Sequence, residues 1–251
     1  MALLASHLRE VTIIDLSDCS KLTELTLICL VKCCPLLEEL RMKCTDLGRG
    51  RPLGSTSMKN RSKIRTLDLS ENMHFNDKTL IQISFICPEL RTVDLSCSER
   101  LTNVGIACLG LNCPYIRTLD VSGCRGVTNL GDEGFDELET LWAYESRIGD
   151  DGLLMALPRC RYSLRVVGLG ETKVTRYGVT KVIEGCSRLR GICVSGAELH
   201  KLLLHKGLYK KGIYKKRSLV GSQSKTTLSR KSAGSLISLY SVLEILALKL
   251  L

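Results

Sequence analysis

Ile116-Arg117-Thr118-Leu119-Asp120-Val121-Ser122, with Cys124 two residues further on, is the stretch from which the organisation of the chain can be read. Leu119 and Val121 alternate with Thr118, Asp120 and Ser122. That period of two puts an aliphatic pair on the inner face of a short strand and a polar trio on the outer face. The small residue at 124 stands where the chain must turn, and side chains there bond backbone groups that a turn leaves unpaired. Outward from this unit the same order recurs, eight copies in all: Val11, Ile14, Leu16, Cys19; Leu37, Leu40, Met42, Thr45; Ile64, Leu67, Leu69, Asn72; Leu90, Val93, Leu95, Ser98; then the unit itself. Leu138, Leu141, Ala143, Ser146 is a weaker copy, and Leu164, Val167, Leu169, Thr172 and Leu189, Ile192, Val194, Ala197 complete the set. Successive copies are 26, 27, 26, 26, 22, 26 and 25 residues apart. Self-similarity at this spacing predicts a solenoid of the α/β class. Such a fold has a broad open face and no natural catalytic pocket, so binding is expected and an enzyme is not.

The second half of each unit carries a helix start. Leu101-Thr102-Asn103-Val104-Gly105-Ile106 is the model case, and Val127-Thr128-Asn129-Leu130-Gly131, Ile148-Gly149-Asp150-Asp151-Gly152-Leu153 and Val174-Thr175-Arg176-Tyr177-Gly178-Val179 match it, with Phe75-Asn76-Asp77 a variant. Thr, Asn or Asp at this point is a natural N-cap. The helix is expected to end at Cys34-Pro35, Cys87-Pro88, Cys113-Pro114 and the looser Cys186-Ser187, because proline cannot continue it. Two units break the rhythm. Residues 46–57 are rich in Gly, Pro and Ser and read as a loop, without the downstream pattern of a phosphate cradle. In the fifth unit Asp132-Glu133-Gly134 takes the place of most of the helix.

The cycle of Cys-Pro, Leu-x-x-Leu-x-Leu-x-x-Cys and Thr-Asp-x-Gly-Leu resembles the cysteine-containing class of leucine-rich repeats, in particular the repeat region of plant F-box/leucine-rich-repeat proteins. The resemblance covers residues 1–197. It implies a right-handed β-α superhelix, a horseshoe of about eight repeats. It also implies the role of substrate recognition for an SCF-type (Skp-cullin-F-box) ubiquitin ligase in ubiquitin-dependent protein degradation. A protein substrate would lie on the concave face, with a Skp-type adaptor and cullin reached only through an F-box in a longer form. No F-box, with its Leu-Pro start, is visible in this sequence, so the alternative is a scaffold or regulator of the same repeat class, held in the nucleus by its basic tail.

Thirteen cysteines stand in the 251 residues. Cys34, Cys87, Cys113 and Cys186 share one register position and Cys19 and Cys124 another, as expected of small buried hydrophobes. Without a Cys-x-x-Cys pair they do not read as a metal site, and neither metal nor other cofactor is expected. Cys29, Cys33, Cys44, Cys97, Cys108, Cys160 and Cys193 follow no clear pattern, and Cys193 is a candidate exposed thiol. Unpaired thiols suit a reducing compartment, and Met1–Glu10 lacks the character of a secretory signal. Cytoplasm, nucleus or both are the expected location.

The net charge of +10 is unevenly placed. Residues 198–251 hold 11 basic and 2 acidic residues, +9; the remainder holds 25 and 24, +1. Three segments follow: the solenoid over 1–206, a basic Ser/Lys-rich flexible segment over 207–235, and an apolar helix over 236–251. The last is shorter than the roughly 20 residues a membrane span needs. The cluster Lys210-Lys211-Gly212-Ile213-Tyr214-Lys215-Lys216-Arg217 reads as solvated chain ahead of a nuclear-import or polyanion patch, and nucleic acid is not the expected partner.

On the open face the central outward position runs Asp15, Arg41, Asp68, Asp94, Asp120, Trp142, Gly168, Cys193. Three aspartates on strands about 4.8 Å apart repel one another. Arg65, Arg91 and Arg117 at the strand starts, or a basic partner, are the candidate compensation; a solvated row is the simpler reading. Trp142 is the only tryptophan, with Tyr144 on the same face. Either the pair is an exposed binding anchor, or Trp142 packs locally where Ala143 leaves space. The candidate partner-binding residues are thus Trp142, Tyr144, Asp68, Asp94, Asp120 and Arg41. His7, His74, His200 and His205 are scattered, and no nucleophile–base motif appears.

Overall fold

The computed structural model describes residues 9–50 and 61–195. The expected boundary at 206, the basic segment 207–235, the apolar helix 236–251, Ala197 and residues 51–57 of the expected loop lie outside them. Within the described residues each copy supplies one strand: β1 Ile13–Asp15, β2 Glu39–Arg41, β3 Thr66–Asp68, β4 Thr92–Asp94, β5 Thr118–Asp120, β6 Thr140–Trp142, β7 Val166–Leu169 and β8 Gly191–Val194. They form one parallel sheet in strict chain order. The fold is an α/β leucine-rich-repeat solenoid. Register keeps equivalent positions opposite one another, so Ile14, Leu40, Leu67, Val93, Leu119, Leu141, Val167 and Ile192 make one continuous inner row. All eight are buried. No repeat can cover this face alone, and stacking does it for all.

Helices α1 Glu24–Cys33, α2 Asp77–Ile86, α3 Asn103–Asn112, α4 Asp150–Cys160 and α5 Arg176–Gly185 form the outer layer. Asn76, Thr102 and Thr175 cap as expected, their side-chain oxygens accepting from Thr79 N, Val104 N and Tyr177 N. Cys34, Cys87, Cys113 and Cys186 close α1, α2, α3 and α5, each N–H donating to the carbonyl four residues back. The caps also link repeats. Asp77 at the start of α2 accepts from Thr102 N (2.8 Å) and Thr102 Oγ1 (2.6 Å), the cap of the next helix. Asn103 accepts likewise from Thr128 N (2.7 Å), and Asp150 from Thr175 N and Oγ1 (2.8 and 2.6 Å).

The outer layer has two gaps. No helix lies between β2 and β3 among the described residues, and Glu24 of α1 reaches across. Its Oε1 accepts from Gly48 N and from Thr79 Oγ1 on α2. In repeat five the capping sequence at Thr128 does not start a helix at all. Gly131 and Gly134 take positive φ there, and Phe135, also at positive φ, turns fully into the core. The wedge needs Gly110, since a Cβ there would stand 2.6 Å from Phe135 Cε2. Burying this ring supplies about 2–3 kcal/mol in place of the missing helix. The outer layer therefore falls into α1, the packed pair α2 and α3, and the packed pair α4 and α5.

The turn after each of the first seven strands is more uniform than the sequence suggests. Asp18, Cys44, Glu71, Cys97, Gly123, Glu145 and Glu171 occupy the same register position, and all have positive φ, between 54° and 72°. Only one is glycine. Left-handed geometry costs an L-residue about 1–2 kcal/mol. Stacking offsets this cost, because the N–H of each residue from Asp18 to Glu145 donates to a carbonyl of the next repeat, and that of Glu171 to Ser195 Oγ. The next residue is the small polar one. Thr45, Asn72, Ser146 and Thr172 donate to the carbonyl three residues back, and Cys124 Sγ to Leu95 O. Asn72, fully buried, also donates to Met42 O and accepts from Thr45 N and Oγ1, tying repeats two and three.

Ser98 sits at the same position, but its Oγ is buried without a hydrogen-bond partner. Equivalent substitutions should therefore have opposite outcomes. Asn72→Ala strips several buried backbone groups of partners and is expected to cost about 3 kcal/mol. Ser98→Ala removes an unpaired hydroxyl and should be neutral or stabilising by up to about 1 kcal/mol. Chemical denaturation of the two variants checks both values.

Candidate protein-docking face

The outward side chains of the eight strands make three parallel rows. The central row carries all of the expected site residues but Tyr144, which stands two residues after Trp142 on the next row. At the N-terminal end Arg41 is ion-paired to Glu39 and to Asp15 (3.7 Å), and Lys43 to Glu71 (2.9 Å). The register then sets Asp68 opposite Asp94, and Asp94 opposite Asp120.

The three aspartates are held differently from the expectation. Asp68 Oδ1 accepts from Ser70 N (3.0 Å) and Ser70 Oγ (2.7 Å), Asp94 Oδ1 from Ser96 N (2.9 Å) and Oγ (2.6 Å), and Asp120 Oδ1 from Ser122 N (2.9 Å). Asp15 bonds Ser17 N in the same way. The Asp-x-Ser wording is thus a local turn device, in which a carboxylate fixes the backbone leaving the strand. Of the strand-start arginines expected to compensate the row, Arg65 pairs with Glu38 (3.2 Å) and Arg117 with Glu137 (3.1 Å). These guanidiniums lie along the strand starts, whereas Asp68, Asp94, Asp120, Glu71, Glu145 and Glu171 lie towards the strand ends. The strand-start margin thus carries arginines paired with glutamates, and the strand-end margin carries mainly carboxylates.

Trp142 and Tyr144 form the C-terminal part of the face. Their rings stack with centroids 5.8 Å apart and planes 15° from parallel. Both are half-buried. They lie over the next repeat, where a Cβ on Gly168 would stand 2.5 Å from Trp142 Cε3 and 2.8 Å from the Tyr144 ring. Gly170 is covered by Tyr144 in the same manner. Of the two readings of Trp142, local packing is observed, but against the glycines of repeat seven and not around Ala143. The Tyr144 hydroxyl also hydrogen-bonds the Cys193 thiol, and Cys193 is 5% exposed. The expectation that Cys193 is exposed is thereby corrected: an aromatic ring from two repeats away covers it.

The other thiols follow the repeat. Burial pushes Cys87, Cys113, Cys124 and Cys160 up to about 12, and Cys186 to about 11. Cys160 joins the helix-end set, which its sequence position, one residue out of step, had hidden. Cys44 is the exposed thiol, on the left-handed turn row, where partial burial and the carboxylates of Asp18 and Glu71 raise it. Among the described residues no cluster of His, Cys, Asp and Glu is arranged to hold a metal ion. None of their helices is long and apolar enough to cross a membrane.

No family model matches the chain, and no curated protein matches it in sequence. Solved structures of similar shape include the complex of Rad7 and Elc1 in yeast, at a TM-score of 0.48 and 15% identity over 78% of this chain and 52% of the other. Another is the TLR13–ssRNA13 complex, at a TM-score of 0.47 and 19% identity over 76% of this chain and 30% of the other. The chain spans about half the length of the first and under a third of the second. These are similarities of shape only.

Gly168→Ala should lift the aromatic pair off repeat seven. As Trp142 is the only tryptophan, its emission is expected to move to longer wavelength and its quenching by acrylamide to rise, without loss of the fold by circular dichroism. A brief maleimide pulse on the native chain is expected to label Cys44 first. Cys87, Cys113, Cys124, Cys160 and Cys186 should label only under denaturing conditions, because both access and thiolate fraction are low. Peptide mass mapping gives the order.

Proposed function

We propose that this chain is a protein-recognition module whose open sheet face docks a partner, in the manner of the substrate-recognition part of an SCF-type ubiquitin ligase. The observation that carries the reading is the Trp142–Tyr144 stack, a half-exposed aromatic shelf held in place by Gly168 and Gly170. Large, rigid aromatics of this kind lose little entropy on binding and dominate interface energetics. Asp68, Asp94 and Asp120 beside it, with Arg41 at the far end, supply orientation more than affinity, since charge patterns mainly set on-rate and specificity. The module acts by recruitment and performs no chemistry of its own. The repeat resemblance supplies the ligase context, and the free thiols support a reducing compartment, cytoplasm or nucleus.

The test is affinity purification of the chain from its native cells with quantitative mass spectrometry, alongside Trp142→Ala/Tyr144→Ala. The double variant is expected to lose its principal protein partner by about 30-fold, the effect of about 2 kcal/mol at a hot spot. Retention of that partner at the original level overturns the docking face. Stoichiometric Skp-type adaptor and cullin among the recovered proteins supports the ligase role; recovery of the partner without them assigns the chain to the scaffold or regulator role.

A further inference from the structure

The margin of the sheet formed by the strand starts ends in a cluster of arginines that the docking shelf does not use. Arg165 and Arg190 stand at the same position on neighbouring strands, with Arg190 N donating to Arg165 O (2.7 Å). Arg188 lies two residues before Arg190, in the turn before β8. The three side chains, with Ser187 and Leu189, line an open cleft of about 410 Å³. No carboxylate is among these lining residues. Glu139 on the previous strand pairs with Arg165 at 3.3 Å. Three positive charges less one leave two, the charge that complements a phosphomonoester dianion. Guanidinium groups recognise phosphate oxygens through paired N–H donors, which gives geometry as well as charge.

The position of the cleft says what kind of phosphate it takes. Gly168, which carries the aromatic shelf, is three residues along β7 from Arg165, about 10 Å at strand rise. A bound segment can therefore set a phosphate in the cleft and an apolar side chain on Trp142 and Tyr144. Beyond the shelf, past the strand ends, lie Glu145 and Glu171, and beside it on the central row lie Asp120 and Asp94, carboxylates that repel a continuous polyanion. A chain with one dianion, an apolar residue and then basic residues fits the gradient of charge; a nucleic acid, with a phosphate on every unit, does not.

We propose that Arg165, Arg188 and Arg190 form a phosphate-recognition site for a phosphorylated protein segment, so that docking depends on prior phosphorylation of the partner. The inference rests on the reading of the open face as a protein-docking surface. The probe is a short degenerate peptide library with phosphoserine fixed at its centre, compared with the same library unphosphorylated. Binding to the full chain is followed by fluorescence anisotropy at physiological salt, for the native protein, Arg188→Ala/Arg190→Ala and Trp142→Ala/Tyr144→Ala. The native chain is expected to bind the phosphorylated library about tenfold more tightly. The arginine variant should lose that preference, and the aromatic variant should weaken both libraries alike. Equal binding of the two libraries by the native chain overturns the proposal. So does a preference that survives in the arginine variant, which would assign it to the lysines of residues 201–231, or tighter binding of a single-stranded oligonucleotide through Arg188 and Arg190. The two readings fail separately. Binding that depends on the aromatics but not on phosphate leaves the docking face and removes the phosphate site. A phosphate preference that depends on the arginines but not on the aromatics does the reverse. Arg188 and Arg190 are exposed, so the arginine variant is expected to keep the melting temperature of the native chain.

Discussion

Everything in this molecule depends on backbone groups of one repeat being satisfied by the next. A three-residue strand has no stability of its own, and the turn that follows it would be disfavoured in isolation. Seven left-handed residues in register are tolerated because six of them donate directly to a carbonyl one repeat further on and the seventh to a serine hydroxyl there. The same dependence appears at the helix starts, where Asp77, Asn103 and Asp150 cap the following repeat and not their own helix. Local geometry and neighbour contacts are therefore one cooperative quantity, as in other one-dimensional assemblies.

That coupling decides what could be read from the chain. The strands, their inward rows, the caps at Asn76, Thr102 and Thr175 and the helix ends at Cys34, Cys87 and Cys113 were legible, because period and punctuation are local. The left-handed row was not. Cys44, Glu71 and Cys97 carry no sign of positive φ, which is imposed by the adjacent repeat. Phe135 was missed for a related reason: a single ring replaces a helix only because Gly110, in the previous repeat, leaves room for it.

The open face was legible in content but not in arrangement. The residues of the central row were correctly placed by the period of two. Their bonding was not, because an aspartate two residues before a serine meets its partner locally while it also lines a surface. The arginines at the strand starts paired with glutamates that a row-by-row reading had not set beside them. The aromatic shelf depends on two glycines about 25 residues away in sequence, a relation visible only once strands lie side by side.

The missing helix in repeat five has a mechanical consequence. Strands on the inner face sit about 4.8 Å apart, whereas packed helices need about 8–10 Å, and this mismatch bends a solenoid. Between α3 and α4 the outer spacer is an aromatic wedge and a glycine-rich loop in place of a helix. Trp142 stands on β6, immediately beyond that interruption, and Asp120 on β5 immediately before it. The inner face is thus continuous from Asp120 to Trp142 while its outer backing changes from helix to wedge, so the local curvature there is set by one aromatic ring and not by the width of a helix.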